Sequence, residues 1–282
     1  MNGILVVNKE PNMTSRDVVN ILTKFFNTKK IGHTGTLDPI AEGVLVICLG
    51  KYTKLCDLLT SKYKEYIATI KLGIKTDTSD ITGTVIEEKD FNITKEQIIE
   101  VLNSFKGESL QQVPIYSAVK VRGKKLYEYA REGKEVELPT RNINITNIEL
   151  ISFNNDEIVF KTTVSKGTYI RSLIEDICTK LNTVGTMSKL VRTKQGEFSI
   201  EKSYTLEDIK NNNYKLLSLE EVLKDMESID IDESLLKPVN NGAVINKIFK
   251  GDIACLKYDN KIIAIYKTYD KDNKKAKPYI MF

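Results

Sequence analysis

The chain has 282 residues, of which 41% are hydrophobic and 28% are charged, which is typical of a soluble globular protein with one large domain or two unequal ones. The net charge of +4 is a mild basic excess that permits an anionic partner without requiring one. The four cysteines form no C-x-x-C pair and the single histidine completes no nearby Cys/His set, which argues against a structural zinc site. Because no apolar run approaches the length of a membrane span and the N-terminus lacks a signal-peptide pattern, we expect a cytoplasmic protein.

The N-terminal part of the chain predicts a strand, a helix and a second strand. Residues 4–7 are a short apolar run, and Thr14 or Ser15 can cap a following helix whose apolar residues recur at helical spacing. Residues 44–49 are all apolar and predict a buried strand. The loop before this strand is the most unusual stretch of the chain.

This loop, residues 32–43, places the only histidine, His33, five residues before Asp38, which is followed by a proline. Its three glycines give the backbone access to positive φ and allow another molecule to approach closely. A polar loop that leads into a buried strand is typical of a functional site. The alternative is an ordinary turn in which Asp38 caps backbone amides.

Asp38 is compatible with two kinds of chemistry. Hydrolysis by a carboxylate pair would need a second acid, for which Asp77 and Asp80 in a later loop are the candidates. A single aspartate can instead be a covalent nucleophile if a cation holds it ionised, and Arg171 is a plausible partner. Arg171 also fits an ordinary surface cation at the start of a helix, and a lone His33 is weak evidence for a general base.

The middle of the chain predicts strands and helices in alternation. Residues 65–73 alternate in polarity as a strand does, with Tyr66 on the apolar face, where a core aromatic is the default. Residues 94–97 form a capping box that opens a helix. Two β-rich stretches within residues 142–164 predict a hairpin, which leads to a helix at about residues 172–181.

Two segments are rich in cations. Residues 121–131 mix four cations with two tyrosines, which suits a phosphate backbone with bases that stack on the rings, although a solvated helix face explains the pattern equally well. Residues 189–194 form a second basic edge. Residues 206–223 predict two short helices, and from about residue 229 short β-like stretches alternate with turns, as in a small β module that ends in a lysine-rich segment.

Several motifs together resemble the bacterial tRNA pseudouridine synthase B family. The sequence GHTGTLDPIAEG at residues 32–43 closely resembles the family's catalytic motif. Further segments match the family in order and spacing: residues 62–73, 76–80, 116–120, 123–131 and 165–171. One departure lies at residues 9–15, where Glu10 and Asn12 stand in place of the usual proline and glycine.

The resemblance implies an enzyme that isomerises the uridine at position 55 in the T loop of tRNA to pseudouridine, without a metal or an organic cofactor. It implies an α+β pseudouridine synthase fold over residues 1–228, with a mixed, largely antiparallel sheet, flanking helices, a central cleft and an RNA-gripping insertion at about residues 110–135. Residues 229–282 would form a small PUA-like β-barrel module that binds RNA. The implied partner is the T stem-loop of tRNA, with no membrane and no obligatory protein partner.

The resemblance also implies roles for individual residues. Asp38 would be the nucleophile, Arg171 would pair with it and hold it charged, and Tyr66 would stack on the target base near C5. The nucleotide pocket would be lined by three further residues: His33, Tyr169 and Leu190. Six cations would contact the RNA backbone: Lys120, Arg122, Lys124, Lys125, Lys189 and Arg192.

Overall fold

The computed structural model describes residues 1–60 and 63–282, so Lys62, the first residue of one predicted motif, lies outside the described residues. The helices in the described chain are α1 Ser15–Phe25, α2 Lys95–Asn103, α3 Leu126–Arg131, α4 Ile170–Lys180, α5 Leu206–Lys210, α6 Leu219–Val222 and α7 Glu233–Asn240. The strands are β1 Gly3–Lys9, β2 Ile31–His33, β3 Glu42–Leu49, β4 Tyr63–Leu72, β5 Ile74–Thr76, β6 Val85–Glu88, β7 Gly107–Gln112, β8 Lys120–Val121, β9 Lys124–Lys125, β10 Thr140–Asn154, β11 Glu157–Ser165, β12 Gly185–Gln195, β13 Phe198–Ser199, β14 Ser228–Asp230, β15 Ile245–Asn246, β16 Ile253–Tyr258, β17 Lys261–Tyr269 and β18 Asp272–Met281.

Nine of these strands form one mixed sheet in the order β1-β3-β12-β4-β11-β10-β7, with β2 paired to β3 and β13 paired to β12. The contact between β12 and β3 is parallel, and the other pairings of this sheet are antiparallel. Strand β4 therefore lies in the interior of the sheet, between β12 and β11. This arrangement confirms the predicted mixed and largely antiparallel sheet.

Both faces of the main sheet are covered at β1 and β3. Leu5 and Val7 of β1 face a core that includes side chains of α1 and α4, whereas Ile4 and Val6 belong to a second core shared with the C-terminal module. Because both faces are buried, β1 and β3 are nearly continuous apolar runs and do not alternate in polarity.

Most elements that were predicted from local sequence are confirmed. The Thr14 hydroxyl caps α1 by accepting a hydrogen bond from the Asp17 amide at 3.1 Å, and Thr94 caps α2 through the predicted capping box. The β10–β11 hairpin is antiparallel, and α4 begins at Ile170, slightly before its predicted start. The two short helices expected in residues 206–223 are α5 and α6.

The C-terminal module is a five-stranded sheet in the order β14-β16-β17-β18-β15, which is consistent with the predicted PUA-like module. Its first strand begins at Ser228, next to the predicted boundary at residue 229. Helix α7 was not predicted, because Pro238 lies inside it and interrupts the usual helix pattern. Within the described residues, we find no helix that is long and apolar enough to cross a membrane.

Candidate active site

The Asp38 loop, residues 34–41, connects β2 to β3 and is fixed by buried polar groups on both sides. Ser15 at the start of α1 is buried, and its hydroxyl accepts a hydrogen bond from the Leu37 amide at 2.8 Å. From β12, the buried amide of Gln195 donates to the hydroxyl of Thr34. These contacts fix the backbone immediately before Asp38.

Arg192 anchors the same loop, and the prediction that it contacts RNA phosphates is wrong. Its side chain is fully buried, and its guanidinium donates to the carbonyl oxygens of Val44 at 2.7 Å, Gly35 at 3.1 Å and Thr36 at 3.4 Å. A guanidinium enclosed in this way cannot reach a phosphate in solvent. The basic pattern of residues 189–194 was misleading because β12 crosses the interior of the sheet, where alternate side chains point inward.

Gly43 shows what one of the loop glycines is for. Its φ is +102°, a conformation that favours glycine, and a Cβ at this position would lie 2.3 Å from the carbonyl oxygen of Arg192. The two residues are partners in the parallel contact between β3 and β12. This glycine therefore makes room for the neighbouring strand, whereas the sequence had suggested room for another molecule.

Asp38 and Arg171 form an ion pair across 133 residues of sequence. Arg171 Nη2 donates to Asp38 Oδ1 at 3.4 Å, and Nε lies 3.0 Å from Oδ2 without the alignment of a hydrogen bond. The guanidinium is 6% exposed and also donates to the carbonyl oxygens of Thr78 and Tyr116, both at 3.0 Å. Backbone acceptors thus hold Arg171 in place while it orients a carboxylate that is 35% exposed.

The start of α4, which presents Tyr169 and Arg171, is clamped to the edge strand of the sheet. Gln111 of β7 accepts a hydrogen bond from the Tyr169 amide at 2.8 Å and donates to the Tyr169 carbonyl oxygen at 3.0 Å. Its strand partner Arg141 lies 5.2 Å from the Tyr169 ring centre and donates to the Gly167 carbonyl oxygen at 3.2 Å. Sequence reasoning missed this clamp, because its members are 58 and 26 residues from their partners.

A cavity of about 540 Å³ lies beside the ion pair, within the size range of small-ligand sites. The structure brings five predicted site residues together in its lining: Asp38, Tyr66, Tyr169, Arg171 and Leu190. Several lining residues were not predicted for the pocket, among them Lys64 of β4 and three residues of the insertion: Tyr116, Ser117 and Tyr127. The insertion, residues 110–135, is therefore one wall of the site.

Asp38 is the only carboxylate among the described residues that line this cavity. Asp77 accepts a hydrogen bond from the Thr84 amide at 2.8 Å, and Asp80 accepts one from the Thr82 amide at 3.0 Å. Both acids thus stabilise turns in their own loop. The two candidates for a carboxylate pair do not line the cavity with Asp38, which disfavours the hydrolytic alternative.

Among the residues predicted to act on the base or to line the nucleotide pocket, His33 is the one that does not line the cavity. It ends β2 and is partly buried, and burial followed by the charges of Arg16 and Arg192 lowers its pKa. Its Nδ1 atom is buried and has no hydrogen-bond partner among the described residues. The neutral imidazole is thus favoured, and its role in binding the nucleotide stays a prediction.

Two of the predicted phosphate ligands make contacts within the insertion. Lys124 Nζ lies 4.9 Å from the centre of the Tyr129 ring and 2.5 Å from a carboxylate oxygen of Glu132. Lys125 Nζ lies 5.3 Å from the centre of the Tyr127 ring. The proximity of cations and tyrosines in this segment therefore reflects cation–π contacts within the chain, at Lys124 and Lys125.

The remaining predicted phosphate ligands are accessible. Lys120 begins β8 and Arg122 lies in the turn of the β8–β9 hairpin, and both are exposed. Lys189 is exposed and lies 3.1 Å from a carboxylate oxygen of Glu42. Their contacts with RNA stay predictions.

Lys9 is a further functional candidate that sequence reasoning did not select. It is fully buried, and its ammonium donates to three carbonyl oxygens, including those of Met13 at 2.7 Å and Pro39 at 3.3 Å. Burial, followed by the charge of Arg192, lowers the pKa of Lys9 to about 8. Lys9 thereby ties the end of β1 to the Asp38 loop.

Two family models match adjacent parts of the chain. Residues 23–170 match the model described as TruB family pseudouridylate synthase (N terminal domain), and residues 171–229 match that of the tRNA pseudouridylate synthase B C-terminal domain. The chain belongs to the TruB family of pseudouridylate synthases. The predicted resemblance is thus confirmed. Asp38 lies within the first matched range, whereas Arg171 and Leu190 of the cavity lie within the second.

Individual relatives agree with this assignment to the TruB family. The chain is 46% identical over 274 residues to tRNA pseudouridine synthase B of Clostridium tetani, which covers 94% of this chain and 95% of the relative. It is 44% identical over 302 residues to tRNA pseudouridine synthase B of Staphylococcus aureus, and the match covers 100% of this chain and 99% of the relative. Among solved structures, a chain in a crystal structure of a Cbf5-Nop10-Gar1 complex is 27% identical with a TM-score of 0.72. The match covers 99% of this chain and 83% of that chain. The predicted fold class is therefore confirmed.

Proposed function

We propose that this chain isomerises the uridine at position 55 in the T loop of tRNA to pseudouridine, with Asp38 as the nucleophile. In this reaction the N1–C1′ bond of the nucleotide breaks and a C5–C1′ bond forms, while C5 loses a proton and N1 gains one. The observation that carries the proposal is the Asp38–Arg171 ion pair beside a nucleotide-sized cavity, in a chain of the TruB family.

Asp38 suits covalent catalysis better than hydrolysis. A carboxylate that attacks either ribose C1′ or uracil C6 holds part of the substrate covalently while the uracil detaches and turns. Arg171 orients the carboxylate. Buried lining residues such as Tyr66 and Leu190 exclude water from part of the cavity, and a bound nucleotide would have to displace the rest, because water could otherwise capture the ribose. The absence of a second acid among the described lining residues fits this assignment.

We assign Tyr66 to the flipped base. Extrusion of a nucleotide costs a few kcal/mol of lost stacking, and an aromatic ring in the pocket can offset that cost. Tyr66 lines the cavity from an interior strand and is 7% exposed, so its ring has a fixed position. We assign Tyr169 and Leu190 to the same nucleotide pocket, and we retain His33 as a contact to the substrate outside the cavity.

The RNA partner in this proposal is the T stem-loop of tRNA. We assign phosphate contacts to the cations of the insertion and to Lys189, and further RNA contacts to the module at residues 229–282, with residues 1–228 as the catalytic domain. A tRNA substrate also favours a cytoplasmic location.

The experiment that tests the proposal is the substitution Asp38→Asn. We expect it to reduce turnover by about 1,000-fold or more, because the nucleophile is lost, while tRNA affinity changes little. Turnover is measured as release of tritium from C5-labelled uridine in tRNA, and affinity by equilibrium binding. As a matched control, Asp156→Asn removes a surface carboxylate that pairs with Lys71 and should leave turnover unchanged.

Each rival function gives a different result in these assays. Persistent turnover by Asp38→Asn would refute the nucleophile assignment. Release of free uracil by the wild-type protein would indicate a hydrolase, and tRNA binding without any turnover would indicate an RNA-binding protein without catalysis.

A further inference from the structure

Lys64 is a cation in the cavity without an anion to pair with. It lies on β4 two residues before Tyr66, so both side chains emerge on the same face of the strand, and both line the cavity. Its ammonium packs against the Asp38 loop, where a Cβ added to Gly35 would lie 3.2 Å from Nζ. Among the described residues, Lys64 has neither a hydrogen bond nor an ion pair.

The charged groups that act most strongly on Lys64 are also cations. Burial, followed by the charges of Arg192 on β12 and Lys166 in the turn after β11, lowers the pKa of Lys64 to about 8. Its strand partner Gln195 has a buried Oε1 atom without a hydrogen bond, but this oxygen carries no charge. A partly buried ammonium in such surroundings destabilises the free protein, and a bound anion would relieve that cost.

Other charged residues of the same strand have partners, so the unpaired state is specific to the cavity face. Glu65, which points to the opposite face, lies 3.2 Å from Lys161 and 4.0 Å from Lys194. Lys71, near the far end of β4, pairs with Asp156. Lys64 is therefore not explained as one more surface charge of β4.

We propose that Lys64 binds a phosphodiester that flanks the target uridine. This inference rests on the proposed function, because the anion must belong to the nucleotide that enters the cavity. Side chains two residues apart on a strand are about 7 Å apart. This spacing is comparable to the distance between a base and the phosphates that flank its nucleotide. One strand would thus hold both the base, through Tyr66, and its backbone, through Lys64.

The first measurement compares charge variants of Lys64 on unmodified tRNA. We expect Lys64→Met to lower kcat/KM by about 10- to 100-fold, the usual effect of losing a charge-assisted hydrogen bond, and Lys64→Arg to retain more of it. Lys71→Met is the matched control on the same strand and should stay within about 2-fold of the wild type.

The decisive measurement pairs these enzymes with neutralised substrates. In two tRNA variants, a neutral methylphosphonate replaces the phosphodiester on the 5′ or on the 3′ side of the target uridine. If Lys64 binds one of these phosphates, Lys64→Met should have almost no further effect on the substrate that lacks that charge. An equal loss of kcat/KM on all three substrates would overturn the proposal. If the wild-type protein forms no pseudouridine on unmodified tRNA, the proposed function fails instead.

A stability measurement separates binding from a structural role. Because no described residue pairs with Lys64, Lys64→Met should leave the thermal unfolding midpoint unchanged or raise it. A lowered midpoint, together with an equal loss of kcat/KM on all three substrates, would show that Lys64 stabilises the fold and would refute the phosphate contact.

Discussion

At the scale of single residues, two buried arginines near Asp38 have different roles. Arg171 contacts two carbonyl oxygens and turns its remaining edge to the carboxylate of Asp38. Arg192 contacts three carbonyl oxygens of the Asp38 loop and the adjoining β3. Only the first arginine therefore faces the substrate cavity, although both appear in sequence as ordinary cations after an apolar stretch.

We expect Arg192→Met to lower the free energy of unfolding by about 3 kcal/mol, because three buried carbonyl oxygens lose their donor. Turnover should fall as well, since the Asp38 loop loses an anchor. Urea unfolding and tritium release measure the two effects. Lys189→Met, an exposed position on the same strand, should change stability by less than about 0.5 kcal/mol. If Arg192→Met kept the stability of the wild type but bound tRNA more weakly, Arg192 would instead contact an RNA phosphate.

The unpaired Lys64 also predicts a pH dependence of stability. Its pKa of about 8 in the folded protein lies below the ordinary value of 10.5, so the charged form is costly for folding below pH 8. That cost disappears as the pH rises from about 8 to about 10.5, where the unfolded chain also loses the proton. We expect Lys64→Met to be stabilised relative to the wild type most strongly near pH 7 and less near pH 10. Urea unfolding at each pH tests this expectation, and a constant difference would contradict it.

At the scale of elements, the site depends on how α4 meets the edge of the sheet. The side-chain amide of Gln111 is 1% exposed and pairs with both backbone polar groups of Tyr169, as a neighbouring strand would. Two residues later, Arg171 points to Asp38. A shift of the helix start would therefore move the guanidinium relative to the Asp38 carboxylate.

We expect Gln111→Ala to reduce kcat by about 10-fold and stability by about 1–3 kcal/mol, because both hydrogen bonds to the start of α4 are lost. Gln112→Ala is the matched control: its side chain is exposed, and its carbonyl oxygen keeps the contact with Ser172. Steady-state kinetics and urea unfolding are the measurements. A destabilised Gln111→Ala with wild-type kcat would show that the clamp does not position the site.

At the scale of the whole molecule, the C-terminal module shares a core with the catalytic sheet. Cys255, Ile265 and other apolar residues of the module pack in one cluster with Ile4, Val6 and Val44 of β1 and β3. At β1 and β3, the face of the sheet that lies away from α1 and α4 is thus covered by the module. A shared apolar core couples the unfolding of the two parts.

We expect calorimetry to show one unfolding transition for the whole chain. Ile265→Ala should lower the free energy of unfolding by about 2–5 kcal/mol and shift that single transition, because Ile265 is fully buried in the shared core. Val244→Ala, at a position that is 47% exposed, should shift it little. Two separate transitions, with the catalytic one unmoved by Ile265→Ala, would mean that the parts unfold independently.

Local sequence determined the helix caps, the hairpin and the buried strands, because these depend on residues close together in the chain. The caps of α1 and α2, the β10–β11 hairpin and the apolar strands β1 and β3 follow from hydrogen bonds and side-chain spacing within a few residues. The motif around Asp38, together with the other matching segments, indicated the family, and that resemblance implied a shared site for Asp38, Arg171 and Tyr66.

Tertiary structure alone decided the partners of the remaining polar residues. Arg192 reaches Gly35 across 157 residues, and whether it faces solvent or core depends on the register of β12 with its neighbours, since a shift by one residue would reverse it. The same register places Lys64 on the cavity face, where no acid among the described residues pairs with it, and the path of the chain brings Gln111 to α4. Such contacts depend on which distant strands become neighbours, and spacing within a single segment does not contain that information.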